Sequence, residues 1–120
     1  MFALGTAQNY YLCRCFCDMR KSFDGLCGVV IADLGREPHN GDVYIFINKS
    51  RDKIKLLQWQ PGGFVLYYKR LERGQFFRAN GDENSGAIAL DYHQLVMLIE
   101  GIQFKEIKRQ KDIKTCLKSR

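Results

Sequence analysis

Basic side chains are concentrated in two stretches of the chain, the C-terminal tail and the stretch between Asn48 and Arg73. The latter stretch carries seven lysines and arginines against two acidic residues, Asp52 and Glu72, which is a local net charge of +5. Ammonium and guanidinium groups at this density are suited to contacting the phosphate oxygens of nucleic acid. The alternative is a solvated sheet face that keeps the protein soluble. The candidate phosphate contacts are Lys49, Arg51, Lys53, Lys55, Lys69, Arg70 and Arg73.

Two aromatic and two further basic residues extend this candidate site. Trp59 and Tyr67 could stack on exposed bases, although half-buried packing on the sheet is the commoner role of such residues. Arg20 and Lys21 lie near a predicted helix start, where positive charge is electrostatically unfavourable. Contact with DNA is one explanation for this pair, and the nearby acidic residues Asp18 and Asp24 are another.

No residue pattern points to catalysis, a metal or a cofactor. Cys13, Cys15 and Cys17 repeat at every second residue, but a zinc site usually pairs two cysteine knuckles, so small buried thiols are the favoured interpretation. A thiol nucleophile with His39 or His93 as its base has no support in the local sequence. The acidic residues are individually explained as helix caps, turn residues and charge partners. We therefore expect a protein that is not an enzyme and has no cofactor.

Length and composition indicate one soluble domain. The chain has 120 residues and a net charge of +6, and 46% of its residues are hydrophobic. No apolar run approaches the roughly 18 to 20 residues that span a bilayer, so we expect no membrane association. Five cysteines without a recognisable export signal indicate reduced thiols and a cytoplasmic location.

The basic stretch is predicted to form a three-stranded meander. The run from Val43 to Asn48 is apolar on both sides, as expected of a central strand. Pro61-Gly62-Gly63 is a turn signal, and Phe64 to Leu71 returns as the third strand. In the second strand, Lys53 to Gln60, lysines alternate with Ile54 and Leu56. This alternation predicts one face in the core and one face, with Lys53 and Lys55, in solvent.

The flanking segments supply another strand and two helices. Asn9 to Cys15 is predicted as a strand, and Asp18 is expected to cap the first helix, which Gly35 ends. Asp91 with Gln94 predicts a capping box at the second helix, which Gly101 ends, and Ala87 to Leu90 is expected to form a short strand. The apolar stripe of the first helix is Phe23, Leu26, Cys27, Val30, Ile31 and Leu34.

The assembled order predicts an α+β fold, a mostly antiparallel β-sheet with a central three-stranded meander and two helices packed on one face. We expect residues 1–102 to form a single α+β domain. Residues 103–120 carry seven basic and two acidic residues and are predicted to form a basic, frayed C-terminal tail.

Four separated blocks resemble one known family. DMRKSFDGLCGVV, GDVYIFINKSRDKIKLLQW, GFVLYYKRLERGQF and QLVMLIEGI occur in the order found in the TnpB accessory protein of the insertion sequence sixty-six family. That protein is encoded by the second open reading frame of these bacterial transposons. The resemblance implies a role in DNA transposition beside a separate, larger transposase.

Two molecular roles are compatible with this resemblance. The first is a non-catalytic accessory protein that binds DNA through the basic meander. The alternative is an adaptor that binds the transposase or another accessory protein without contacting DNA, through Tyr67, Tyr68, Phe76 and Phe77. The dependence of affinity on salt concentration distinguishes the two roles. A protein that neutralises about four phosphates loses affinity with a log-log slope near −3.6, whereas binding through an apolar protein interface is far less sensitive to salt.

Overall fold

The structure, a computed structural model, describes residues 4–76 and 86–101 and contains one five-stranded sheet with two α-helices. The strands lie in the order β4-β3-β2-β1-β5, and only the β1–β2 pair is parallel. The predicted α+β class, the mostly antiparallel sheet and the meander are confirmed. The elements are β1 (Tyr10–Cys13), α1 (Phe23–Ala32), a 3₁₀ turn (Pro38–Asn40), β2 (Val43–Ile47), β3 (Lys53–Gln60), β4 (Gly63–Arg70), β5 (Ala87–Leu90) and α2 (Tyr92–Glu100).

Strand β2 separates two hydrophobic cores. All five of its residues are buried; Val43, Ile45 and Ile47 lie in one cluster, and Tyr44 and Phe46 lie in another. Successive side chains of a strand point to opposite faces, so the clusters lie on opposite sides of the sheet. Helix α2 contributes to the first cluster and α1 to the second.

The prediction that both helices pack on one face is therefore wrong. The physical reason is visible in β2 itself: a strand that is apolar on both faces needs a cover on each of them. Leu95 and Leu98 of α2 are buried on one side, and Leu26 and Val30 of α1 on the other. The α1 side of the sheet is thus not the wholly solvated face that the lysine alternation in β3 suggested.

The start of α1 also differs from the prediction. Ser22, not Asp18, occupies the N-cap position, and its side chain accepts no capping hydrogen bond. The Asp18 carboxylate instead accepts from the backbone N–H of Arg20 in the preceding turn. The buried stripe is narrower than predicted, because Phe23 and Ile31 are 42% and 59% exposed.

Helix α2 has the predicted ends. The Asp91 side chain accepts from the Gln94 backbone N–H, and the Gln94 side chain accepts from the Asp91 backbone N–H, which completes the capping box. Gly101 follows the helix at φ +82°, and its N–H donates to the carbonyl of Leu98.

The hairpin between β3 and β4 sets the geometry of the basic stretch. Gln60 pairs with Gly63 across a two-residue turn in which Gly62 has a φ of +94°. Among the described residues, no helix is long and apolar enough to cross a membrane. The predicted tail, residues 103–120, and Phe77 lie outside the described residues.

Candidate nucleic-acid interface

The register of β3 and β4 decides which basic residues share a face. Lys53 lies opposite Arg70, and Lys55 lies opposite Tyr68. Lys55 also pairs with Phe46, whose side chain belongs to the α1-side core. Paired residues on neighbouring strands point to the same side, so Lys53, Tyr68 and Arg70 all lie on the α1 side of the sheet.

These residues form an open cleft where β3 begins and β4 ends. The cleft has a volume of about 330 Å³ and is lined by Lys53, Tyr68, Arg70 and Glu72. Lys53 Nζ lies 3.5 Å from Asp52 Oδ2, and an Arg70 guanidinium nitrogen lies 3.0 Å from Glu72 Oε2. Ion pairs this exposed contribute little, so a phosphate can compete for the same cations.

The turn between β2 and β3 brings further cations to this end of the sheet. Asn48 organises the turn, since its Oδ1 accepts from the backbone N–H groups of Asp52 and Lys53. Arg51 adopts φ +60°, and its carbonyl accepts from the N–H of Phe76, which holds the segment after β4 against the turn. We call Lys49, Arg51, Lys53, Arg70 and Arg73 the basic end of the meander.

Lys55 is not available for phosphate contact, and its predicted placement in solvent is wrong. Its side chain is 5% exposed and crosses the α1 side of the sheet to the segment before α1. Nζ donates to the carbonyl oxygens of Met19 at 2.9 Å and Lys21 at 2.8 Å, and lies 4.6 Å from the centre of the Tyr68 ring. Lys55 therefore ties the chain leading into α1 to the sheet.

The same contact anchors the backbone of the segment that carries Arg20 and Lys21 to the sheet. Both side chains are exposed, but the Arg20 guanidinium is held by both carboxylate oxygens of Asp18, the closest at 2.7 Å. These hydrogen bonds from Arg20 lower the pKa of Asp18 to about 2. The ion pair supports the explanation that charge balance accounts for Arg20, and Lys21 is the other cation of this segment.

Lys69 and Tyr67 lie on the other side of the sheet. Lys69 Nζ donates to the carbonyl of Ile99 at 2.8 Å, at the C-terminal end of α2, where a positive charge is favourable. Tyr67 packs against the α2-side core, and burial raises the pKa of its hydroxyl. Neither residue shares the cleft with Lys53 and Arg70.

Trp59 packs within the protein as well. Its ring centre lies 5.0 Å from that of Phe64 and 4.9 Å from that of His39, in edge-on arrangements. His39 is held in turn by Glu37, whose Oε2 lies 2.7 Å from Nδ1. The packing alternative therefore describes Trp59 and Tyr67 better than base stacking does.

The exposed aromatic residue of the site is Tyr68, which was predicted from the sequence only for the adaptor surface. It is 51% exposed and lines the cleft. Strand alternation was the signal that could have found it: if Tyr67 faces the core with Leu56, Tyr68 must face the other side. Of the other predicted adaptor residues, Phe76 is fully buried, which excludes it from a surface.

The described cysteines pack as small apolar side chains. Cys13 and Cys17 are buried in the α1-side core, and Cys15 packs against it. Burial is the main cause that raises the pKa of Cys17 to about 11, with a further contribution from Cys13. Within the described part of the chain, no three side chains of His, Cys, Asp or Glu are grouped to hold a metal ion.

Comparison with known proteins shows that the chain is similar to a family of transposon proteins. The model of a family described as "IS66 Orf2 like protein" matches residues 8–109. The chain is 28% identical over 93 residues to "Uncharacterized protein y4jC" of Sinorhizobium fredii, covering 78% of each chain. It is 35% identical over 89 residues to "Uncharacterized protein y4hO" of the same organism, covering 73% of this chain and 75% of the relative. No solved structure matches significantly.

Proposed function

Because this chain belongs to the IS66 Orf2-like family, whose members are transposition-associated accessory proteins, we propose that it binds DNA without catalysing strand transfer. The contact surface is the basic end of the meander together with Lys21 and Tyr68. Binding takes place in the cytoplasm, where bacterial DNA lies, and beside the transposase of the same transposon.

The observation that carries this proposal is the open cleft between Lys53 and Arg70. The two cations face each other across neighbouring strands, and the exposed ring of Tyr68 lines the same cleft. Lysine and arginine position a protein on the phosphate backbone, and an aromatic face can stack on a base that is unpaired or distorted. A two-stranded ribbon is also narrow enough to enter a major groove.

Only some of the DNA-contacting residues predicted from the sequence belong to the proposed contact surface. Lys49, Arg51, Lys53, Arg70 and Arg73 remain as phosphate contacts, together with Lys21. Lys55 and Lys69 are left out because each ammonium group already donates to backbone carbonyls inside the fold. Trp59 and Tyr67 are left out because they pack against neighbouring side chains, and Arg20 contributes little because Asp18 holds its guanidinium.

The test is fluorescence anisotropy with labelled duplex and single-stranded DNA between about 50 and 300 mM salt. The double variant Lys53→Gln, Arg70→Gln removes two phosphate contacts, so its log-log salt slope should be less steep by about 1.8 than that of the unmodified protein. Arg36→Gln is the control. It also removes one positive charge, but it lies beside Tyr11 and Asp42, at the other end of the strands, and should leave the slope unchanged.

Thermal unfolding of each variant checks that the folded state is retained. Absence of binding to either DNA at 50 mM salt would overturn the proposal. If Arg36→Gln lost about half as much affinity as the double variant, which removes two charges instead of one, the proposal would also be overturned, because binding would then follow net charge and not the basic end.

A specific observation favours adaptor binding as the second candidate function, at a different surface from the one predicted. Phe23 and Ile31 of α1 are 42% and 59% exposed, and Phe16 is 42% exposed. Exposed apolar side chains that form a contiguous patch are typical of a protein contact. In this case the transposase should co-purify with the protein, and Phe23→Ser, Ile31→Ser should abolish the co-purification with little dependence on salt.

A further inference from the structure

Strand β4 is a long edge strand. It has eight residues, Gly63–Arg70, and pairs with β3 on one side only; no other strand of the described chain pairs with its outer side. Its central residues, from Phe64 to Tyr68, carry no charge. Natural sheets usually protect such an edge with prolines, bulges or charges along the strand, because its free backbone groups are a template for pairing.

The hydrogen-bond register identifies the backbone groups that face outward. The N–H of Leu71 donates to the carbonyl of Asp52 at 2.8 Å, and Gly63 pairs with Gln60 beside the two-residue turn. Hydrogen-bonded and non-hydrogen-bonded pairs alternate along an antiparallel ladder, so odd-numbered residues of β4 bond to β3. The backbone N–H and C=O groups of Phe64, Leu66, Tyr68 and Arg70 therefore point away from the sheet.

We propose that β4 pairs antiparallel with β4 of a second copy of this chain, in a register that sets Phe64 opposite Arg70 and Leu66 opposite Tyr68. In this register Tyr67 lies opposite Tyr67 of the second copy, and the two-fold axis passes between them. This register engages all four outward-facing residues of each copy with one another. A shift by two residues in either direction leaves at least one of the four opposite a residue beyond β4.

The distribution of charge supports a second copy as the occupant. Lys69 and Arg70 lie at one end of β4, and the opposite end, Phe64 and Val65, is uncharged. Antiparallel pairing sets each basic end against the uncharged end of the other strand. The two copies of Arg70 are then about 20 Å apart, from six residues at roughly 3.4 Å each, so like charges do not face each other. Parallel pairing would bring them together.

The pairing has a consequence for the whole surface. A two-fold axis perpendicular to a continuous sheet places the same face of both copies on the same side. The α1 sides, and with them the two clefts lined by Tyr68 and Arg70, would face in one direction from a ten-stranded sheet. This inference goes beyond the proposed function and does not depend on it, because it rests on the backbone and the charge distribution of β4 and not on contact with DNA.

Amide hydrogen exchange followed by NMR tests the pairing directly. In the paired state, the amides of Phe64, Leu66, Tyr68 and Arg70 should be protected, and their protection should increase with protein concentration. The amides of Val65 and Tyr67 should be protected at every concentration, because they bond to β3. Fast exchange of the four even-numbered amides at high concentration would overturn the proposal.

A matched pair of variants tests the same edge by sedimentation. The unmodified chain, at 13.9 kDa, should sediment as a dimer. Tyr68→Pro removes an outward-facing N–H without breaking a bond to β3, so it should give a monomer, whereas Tyr68→Thr keeps that N–H and should remain dimeric. A monomeric unmodified chain, or a folded Tyr68→Pro that stays dimeric, would contradict the pairing.

Discussion

At the scale of single residues, the role of a basic side chain depends on which groups its terminal nitrogen contacts. Lys53 and Lys55 are two residues apart on one strand and point to the same side, yet Lys53 reaches the partly exposed carboxylate of Asp52 while Lys55 is buried under the chain leading into α1. Lys69, on the opposite side, ends on a helix carbonyl. Three lysines of one hairpin thus have three different roles.

Lys55→Met should destabilise the protein by about 1 to 3 kcal/mol. The methionine keeps most of the side-chain volume but leaves the carbonyl oxygens of Met19 and Lys21 without their donor, and an unsatisfied buried acceptor costs about this much. Urea denaturation followed by circular dichroism measures the change. Lys53→Met is the control and should stay within about 0.5 kcal/mol, because its side chain is partly exposed.

The same two variants should rank in the opposite order when loss of DNA affinity, instead of loss of stability, is measured. Folded Lys55→Met should bind as the unmodified protein does, while Lys53→Met should bind more weakly. If Lys55→Met kept its stability and lost DNA affinity, its ammonium group would belong to the interface and not to the fold.

At the scale of elements, the two helices begin in different ways. Helix α2 has a complete capping box between Asp91 and Gln94, whereas α1 begins after Ser22 with no side-chain cap. Helix α1 is held at its start from outside, because Lys55 bonds to the carbonyls of the segment before it. A strand side chain therefore fixes the entry to α1, while local sequence fixes the entry to α2.

Asp91→Ala should cost about 1 kcal/mol of unfolding free energy, the usual loss when an N-cap side chain is removed. Ser22→Ala should cost much less, because the Ser22 hydroxyl makes no capping hydrogen bond. Urea midpoints of the two variants measure this difference. Equal losses would show that Ser22 caps α1 in solution.

At the scale of the whole molecule, two cores share one strand. Every residue of β2 is fully or almost fully buried, and alternate residues serve the α2-side and α1-side clusters. Loss of packing on one side must disturb the strand that supports the other. The two layers should therefore unfold as one unit.

Ile45→Ala on the α2 side and Phe46→Ala on the α1 side test this coupling. Each should destabilise the protein, by about 2 to 5 and 3 to 5 kcal/mol respectively, because each leaves a cavity in a buried cluster. In both variants, Trp59 fluorescence and far-ultraviolet circular dichroism should give coincident transitions. Separate transitions in Phe46→Ala would mean that the α1 layer unfolds alone.

Much of the architecture was predictable because its signals are local. Alternation and turn chemistry identified the three strands of the meander, including the Gly62 position at φ +94°. The reciprocal pattern of Asp91 and Gln94 identified the start of α2. These features depend on residues close in sequence, which is why the sequence alone predicts them.

The site was predicted only in part, because exposure depends on residues far away in sequence. Lys53 and Arg70 do share a cleft, as alternation in a hairpin requires. The burial of Lys55 depends on a segment 34 to 36 residues away, and the position of Lys69 depends on Ile99, 30 residues away. No local pattern encodes those partners.

By itself, the sequence determined the family, the α+β class and the concentration of positive charge on one meander. The tertiary structure alone decided that the helices cover opposite faces and that Tyr68, not Tyr67, is exposed beside the cations. The physical reason is that charge and periodicity belong to the chain, whereas the availability of a side chain is set by what packs over it. In this protein, the segment before α1 and the end of α2 each take a lysine out of the basic surface.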